Sequence, residues 1–189
     1  GALGRSTLIK QSETHDGLHA PHFWDVEQSG GRVLVDMGCH GIEFSRWMLG
    51  RPAITSVYAQ LSTQLHSDIT KGEDNALLIL EYENGCTFLN ETSWAKLGGM
   101  DDRAEVHGTE GGILLDEALD GTMRVFGDGL EDRLNSIDNP VQNVVEDMVQ
   151  ALENDGQMRV HGREGRRTVA LLETIYRSAR EGQAVEYSA

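Results

Sequence analysis

Apolar positions along the chain change period several times, and the changes divide it into elements. From Leu34 to Leu49 they recur at helical spacing, whereas Ser6 to Gln11 is short, partly β-branched and strand-like. Residues 12–31 between them run polar and irregular, a loop long enough to suggest function. Beyond Gly50-Arg51-Pro52, a helix stop, Ile54 to Leu61 alternates, with Val57, Ala59 and Leu61 on one face. The near-continuous apolar run Ala76–Tyr82 is followed by Glu83-Asn84-Gly85 and then Cys86–Leu89, and Asn-Gly between two such runs predicts an antiparallel hairpin. Short strands continue at 103–107, 113–115 and 123–126, separated by glycine-containing turns. Helical periodicity returns from Val141 to about Asn154, with Val141, Val144, Val145, Met148, Val149 and Leu152 as the face to be buried. It appears once more from Glu164 to Arg180, burying Val169, Leu172, Ile175, Tyr176 and Ala179, with Gly182 as the stop and 184–187 as a terminal strand. The pattern predicts one α+β domain over 1–189: a large, mostly antiparallel sheet with helices on one face and the other face open for a partner.

Composition narrows the function classes. Hydrophobic residues at 39% and charged residues at 25% fit a soluble globular chain, and no apolar run is long enough to cross a bilayer. The start of the chain has no basic stretch followed by an apolar one, and Cys39 and Cys86 form neither a disulfide framework nor a CxxC pair. A cytoplasmic location is the expectation. The net charge of −15 and scattered basic residues argue against nucleic-acid binding. The densest basic group, Arg159, Arg163, Arg166 and Arg167, interleaves with Glu164 and reads as a solvated or subunit-contacting face.

The stretch Gly30–Gly50 carries the candidate chemistry. On an α-helix Asp36 and His40 lie four residues apart and project from neighbouring turns of one face. An imidazole there can exchange a proton near neutral pH while the carboxylate orients it or holds a hydroxyl. The alternative is a helix-starting aspartate with an incidental histidine. Gly38 and Gly41 inside the helix each cost about 1 kcal/mol relative to alanine, so a close approach by backbone, substrate or cofactor should compensate. With His15, His19 or His22 the pair could also make an open zinc site, although no HExxH or cysteine cluster supports a metal. His19 and His22 otherwise read as loop residues near a polar substrate or in solvent. Trp24 and Trp47 read first as packing residues, with substrate stacking as the other role. Cys39 lies about 100° around the helix from His40, which disfavours a Cys-His nucleophile. No GxSxG, Walker sequence or post-strand GxGxxG is present.

The motif Gly30-Gly31-x-Val33-Leu34-x-Asp36-x-Gly38-x-His40-x-x-Glu43-x-x-x-Trp47-x-x-Gly50 resembles the second-domain signature of the Gfo/Idh/MocA oxidoreductases. His22-Phe23-Trp24-Asp25, Glu105 to Gly111 and Tyr176 to Ala179 extend the resemblance along the chain. It implies the C-terminal substrate and oligomerisation domain of an enzyme whose N-terminal Rossmann domain, holding NAD or NADP, is not in this sequence. It further implies His40 as proton acceptor from a sugar or polyol hydroxyl, Asp36 as its partner or a hydroxyl ligand, and His22 and Trp24 as substrate contacts. The expected oligomer forms through the open sheet face. The family's Glu-Lys-Pro lysine has no counterpart here, so the isolated domain is expected to be inactive, and Glu43 stands where the family more often has Asp. The competing hypothesis is a non-catalytic domain whose sheet serves only to pair with another.

Overall fold

The computed structural model describes residues 1–189 except 18–19, 30–31, 117–120, 136–142 and 188–189. Eight strands form one sheet: β1 Ser6–Thr14, β2 Ile54–Ser62, β3 Asn75–Tyr82, β4 Thr87–Ser93, β5 Asp101–Gly108, β6 Gly111–Asp116, β7 Thr122–Phe126 and β8 Val185–Glu186. Their order is β7-β6-β5-β1-β4-β3-β2-β8, and every neighbouring pair is antiparallel except β1 with β4. Two antiparallel ribbons are therefore stitched together by the first strand. The β3–β4 hairpin forms as expected, with Gly85 at φ +79° and the Cys86 amide donating to Asn84 Oδ1.

One sheet face carries Ile9, Val57, Leu78, Leu80, Phe88 and Val106, all buried. Helices cover it: α3 Cys39–Met48 contributes buried Ile42, and α6 Gly162–Glu181 contributes Leu171, Leu172 and Ile175. Gly182 ends α6 at φ +65°, as its position predicts. None of the described helices covers the opposite face. Strand register sets Tyr58, Ile79, Leu89, Lys10, Glu105 and Leu114 opposite one another across it, and Tyr58, Leu77 and Leu89 are exposed. The expected one-sided α+β architecture is what the chain adopts.

Several details differ from the sequence expectation, among them Val169, read as buried, and Trp47, read as packing, which are both exposed. The loop before the central helix contains two short helices, α1 Pro21–Trp24 and α2 Val26–Ser29, and α4 Leu130–Asn135 was not foreseen. The central helix opens with a π-helical turn, Leu34–Gly38, so its first part is not regular α-helix. Among the arginines read as a solvated face, Arg167 instead joins Arg46 and Arg51 around buried Glu164, at 2.6, 2.9 and 3.4 Å respectively. Helical periodicity cannot reveal that a glutamate in a basic run faces inward. α5 spans Val144–Glu153, and its sequence-assigned member Val141 lies outside the described residues.

Candidate active site

The site grows from the seam between α3 and β1. Gly41 lets the helix settle on the sheet, because a Cβ there would lie 2.4 Å from Gln11 Oε1 and 2.6 Å from Asn90 Nδ2. At Gly38 a Cβ would lie 2.8 Å from Leu34 Cδ1. Side chains of the chain itself thus explain both glycines, and no substrate is required for them.

This close docking brings His40 to β1. Its side chain is exposed, and Nδ1 lies 3.2 and 3.4 Å from the two carboxylate oxygens of Glu13. Strand alternation sets Glu13 on the same face as Gln11 and Ile9, toward the helices. Burial pushes the Glu13 carboxyl above its ordinary range; His40 pulls it back, while Asp102 and Asp36 add repulsion. Together Gln11, Glu13, His40, Gly41, Phe44 and Asp102 line a hollow of about 220 Å³.

Asp36, on the π turn, opens onto a second hollow of about 210 Å³ with Phe23, Ser29, Arg32, Val35 and Trp94. Asp36 and His40 thus line separate hollows, although Asp36 still acts electrostatically on Glu13. Arg32 forms the wall between Asp36 and a third hollow of about 630 Å³ beside Trp24, Asp25 and Asp68. It pairs with Glu73 at 3.3 Å and lies 5.2 Å from the Tyr176 ring centroid, while the Tyr176 hydroxyl donates to Glu73 at 2.7 Å. Burial raises the Glu73 carboxyl, and the neighbouring hydroxyl and guanidinium oppose that rise.

Trp24 packs against His66 and Trp94, with ring centroids at 4.7 and 5.3 Å, and also lines the third hollow. His22 is exposed, beside Phe23, and lines none of these hollows. His19 lies outside the described residues. His15 Nδ1 accepts from the Gly17 amide and so serves the local turn. No group of three or more His, Cys, Asp or Glu side chains among the described residues is arranged to hold a metal ion. Burial, with the charges of Asp36 and Glu13, raises the Cys39 thiol, which further removes it from nucleophilic use. Sequence reasoning missed Glu13, Arg32 and Asp102. The sequence pattern ends the first strand at Gln11 and leaves Glu13 in the loop, whereas β1 runs to Thr14 and its alternation sets Glu13 with Ile9.

Comparison with known proteins decides what such a domain belongs to. The sequence profile of the GFO/IDH/MocA C-terminal domain matches residues 1–114, more than half of the chain. The chain belongs to this family. D-apiose dehydrogenase of Rhizobium rhizogenes is 26% identical over 173 residues, covering 83% of this chain and 49% of the relative. Inositol 2-dehydrogenase of Rhizobium meliloti is 25% identical over 194 residues, covering 98% and 58%. The crystal structure of GenD2 from gentamicin A biosynthesis, solved in complex with NAD, superposes with a TM-score of 0.77 at 27% identity, over 100% of this chain and 57% of that one. The chain thus spans about half the length of the relatives it matches. No helix among the described residues is long and apolar enough to cross a membrane.

Proposed function

We propose that this chain is the C-terminal, substrate-side domain of a cytoplasmic NAD- or NADP-dependent dehydrogenase acting on a sugar, polyol or related hydroxy compound. The observation that carries the reading is the Glu13–His40 contact. An ionised carboxylate only accepts hydrogen bonds, so Nδ1 of His40 donates to Glu13 and Nε2 keeps its lone pair. Nε2 is then the atom that takes the proton from the substrate hydroxyl as its carbon is oxidised. Glu13 fixes the tautomer and stabilises the imidazolium that forms. Asp36, one turn earlier but facing its own hollow, acts on the pair through its charge on Glu13. Trp24, edge to Trp94, supplies to the third hollow an apolar wall of the kind sugar rings lie against.

A nicotinamide cofactor, when bound, takes the hydride. This chain's own residues do not fit the dinucleotide: its strands are joined mainly as hairpins, and it has no strand followed by a GxGxxG turn and a helix. Binding of the cofactor is assigned to a preceding Rossmann domain, and the 189-residue chain alone is expected not to turn over. The open sheet face, with Tyr58, Leu77 and Leu89 exposed, is assigned to pairing between copies of the protein.

The test is a panel of aldoses, inositols and other polyols offered to the longer protein with NAD⁺ or NADP⁺, followed by nicotinamide absorbance. His40→Asn is expected to lower kcat by about 10²–10⁴ with the fold intact, and Glu13→Gln to lower it less. Unchanged turnover in His40→Asn would remove the histidine from this role.

A further inference from the structure

The amphipathic helix α5 buries none of its residues. Val144, Val145, Met148, Val149 and Leu152 share one face at helical spacing and are 74, 67, 50, 45 and 72% exposed. The opposite face carries Glu146, Gln150 and Glu153, so the sequence writes a helix with a face to bury and the described residues leave that face bare. Polar ties hold α5 in place: Asp147 accepts from the Arg159 amide at 2.8 Å, and Arg51, just beyond α3, donates to the Arg159 carbonyl at 3.3 Å. Its anchor is therefore the far end of the helix that bears His40, in the helical layer and not on the open sheet face.

We infer that the apolar face of α5 is the docking surface for the nucleotide-binding domain of the same protein. This rests on the two-domain reading above. The relatives are about twice as long as this chain, and the profile it matches is a C-terminal domain, so their additional length lies mainly ahead of it. A domain that brings a cofactor to His40 must approach from the helical side, where α5 stands. A second copy pairing through the sheet would approach from the other. Contact with α5 would hold the two halves at a fixed angle across the cleft.

Hydrogen exchange on the 189-residue chain and on the longer protein tests this, together with Val145→Gln/Val149→Gln/Leu152→Gln in both. Expected are α5 amides protected at least tenfold more in the longer protein, and a melting temperature lowered by several degrees by the triple variant there but unchanged in the short chain. Equal exchange of α5 in the two proteins would overturn the inference. So would protection already present in the short chain that is lost on dilution or in the triple variant, because a second copy would then cover the face. NADH titration of the longer protein separates the two ideas: α5 protection without NADH binding would support the docking and refute the cofactor assignment.

Discussion

Replacing Gly41 and Gly165 by alanine in turn makes one chemical change with two opposite expected results. Both glycines lie within helices, where alanine is favoured by about 1 kcal/mol. At Gly165 a Cβ would meet nothing within 4 Å, so the propensity gain stands alone and stability rises by about 0.5–1 kcal/mol. At Gly41 the new methyl would lie 2.4 Å from Gln11 Oε1 and 2.6 Å from Asn90 Nδ2, the two atoms of a buried amide–amide hydrogen bond. Crowding costs about 1–3 kcal/mol, and parting the buried amides costs about 1–3 kcal/mol more. Against the gain of about 1 kcal/mol, a net loss of about 3 kcal/mol remains, taking the middle of each range. For a domain of this length that lowers the melting temperature by about 6–12 °C, while Gly165→Ala raises it by about 1–4 °C. Circular dichroism melts and urea titrations of the two variants read this directly. A Gly41→Ala protein as stable as the parent would refute the close docking of α3 on β1 and β4, and with it the route by which His40 reaches Glu13.

Three further outcomes follow from the same packing. Glu164→Gln removes the carboxylate shared by Arg46, Arg51 and Arg167; Arg46, nearly buried, keeps Glu43 as a partner but loses a charged acceptor, and urea titration should show a loss of about 1–3 kcal/mol. The pH dependences of Glu164 and Glu13 have opposite signs. Burial opposes ionisation of Glu164, but the Arg46 hydrogen bond and the arginine charges hold its carboxyl below the ordinary range, so its contribution exists above about pH 4.3 and fades as pH falls through the lowered value. Glu13 is raised, chiefly by burial, so its contribution is complete below about pH 4.3 and is lost as pH rises through the elevated value; urea titrations of Glu13→Gln and Glu164→Gln against the parent should diverge from it in opposite directions across that range. Leu77→Lys/Leu89→Lys on the open face should convert a dimer or larger assembly of the chain to monomers by light scattering, with the circular dichroism spectrum unchanged; a monomeric parent would remove the sheet from oligomerisation.

How much of this was legible in the sequence depends on the distance over which each signal acts. The Asn84-Gly85 hairpin, the Gly182 stop and the alternation of β2 are local, and a local pattern suffices to read them. The position of β1 is not local. It pairs in parallel with β4 and antiparallel with β5, partners about 80 and 100 residues away, and no turn chemistry encodes such pairings. Half of the candidate site inherits this difficulty: Asp36 and His40 stand out within one helix, whereas Glu13 becomes the partner of His40 only because β1 inserts at the centre of the sheet. The π turn at Leu34–Gly38 is a further tertiary effect, since Val33, Leu34, Met37 and Gly38 are all buried and the widened turn meets that demand while Asp36 keeps its own hollow. Helix α5 marks the converse case. Its apolar stripe reads as a buried face, the described residues leave it uncovered, and the docking inferred above is what would satisfy the pattern.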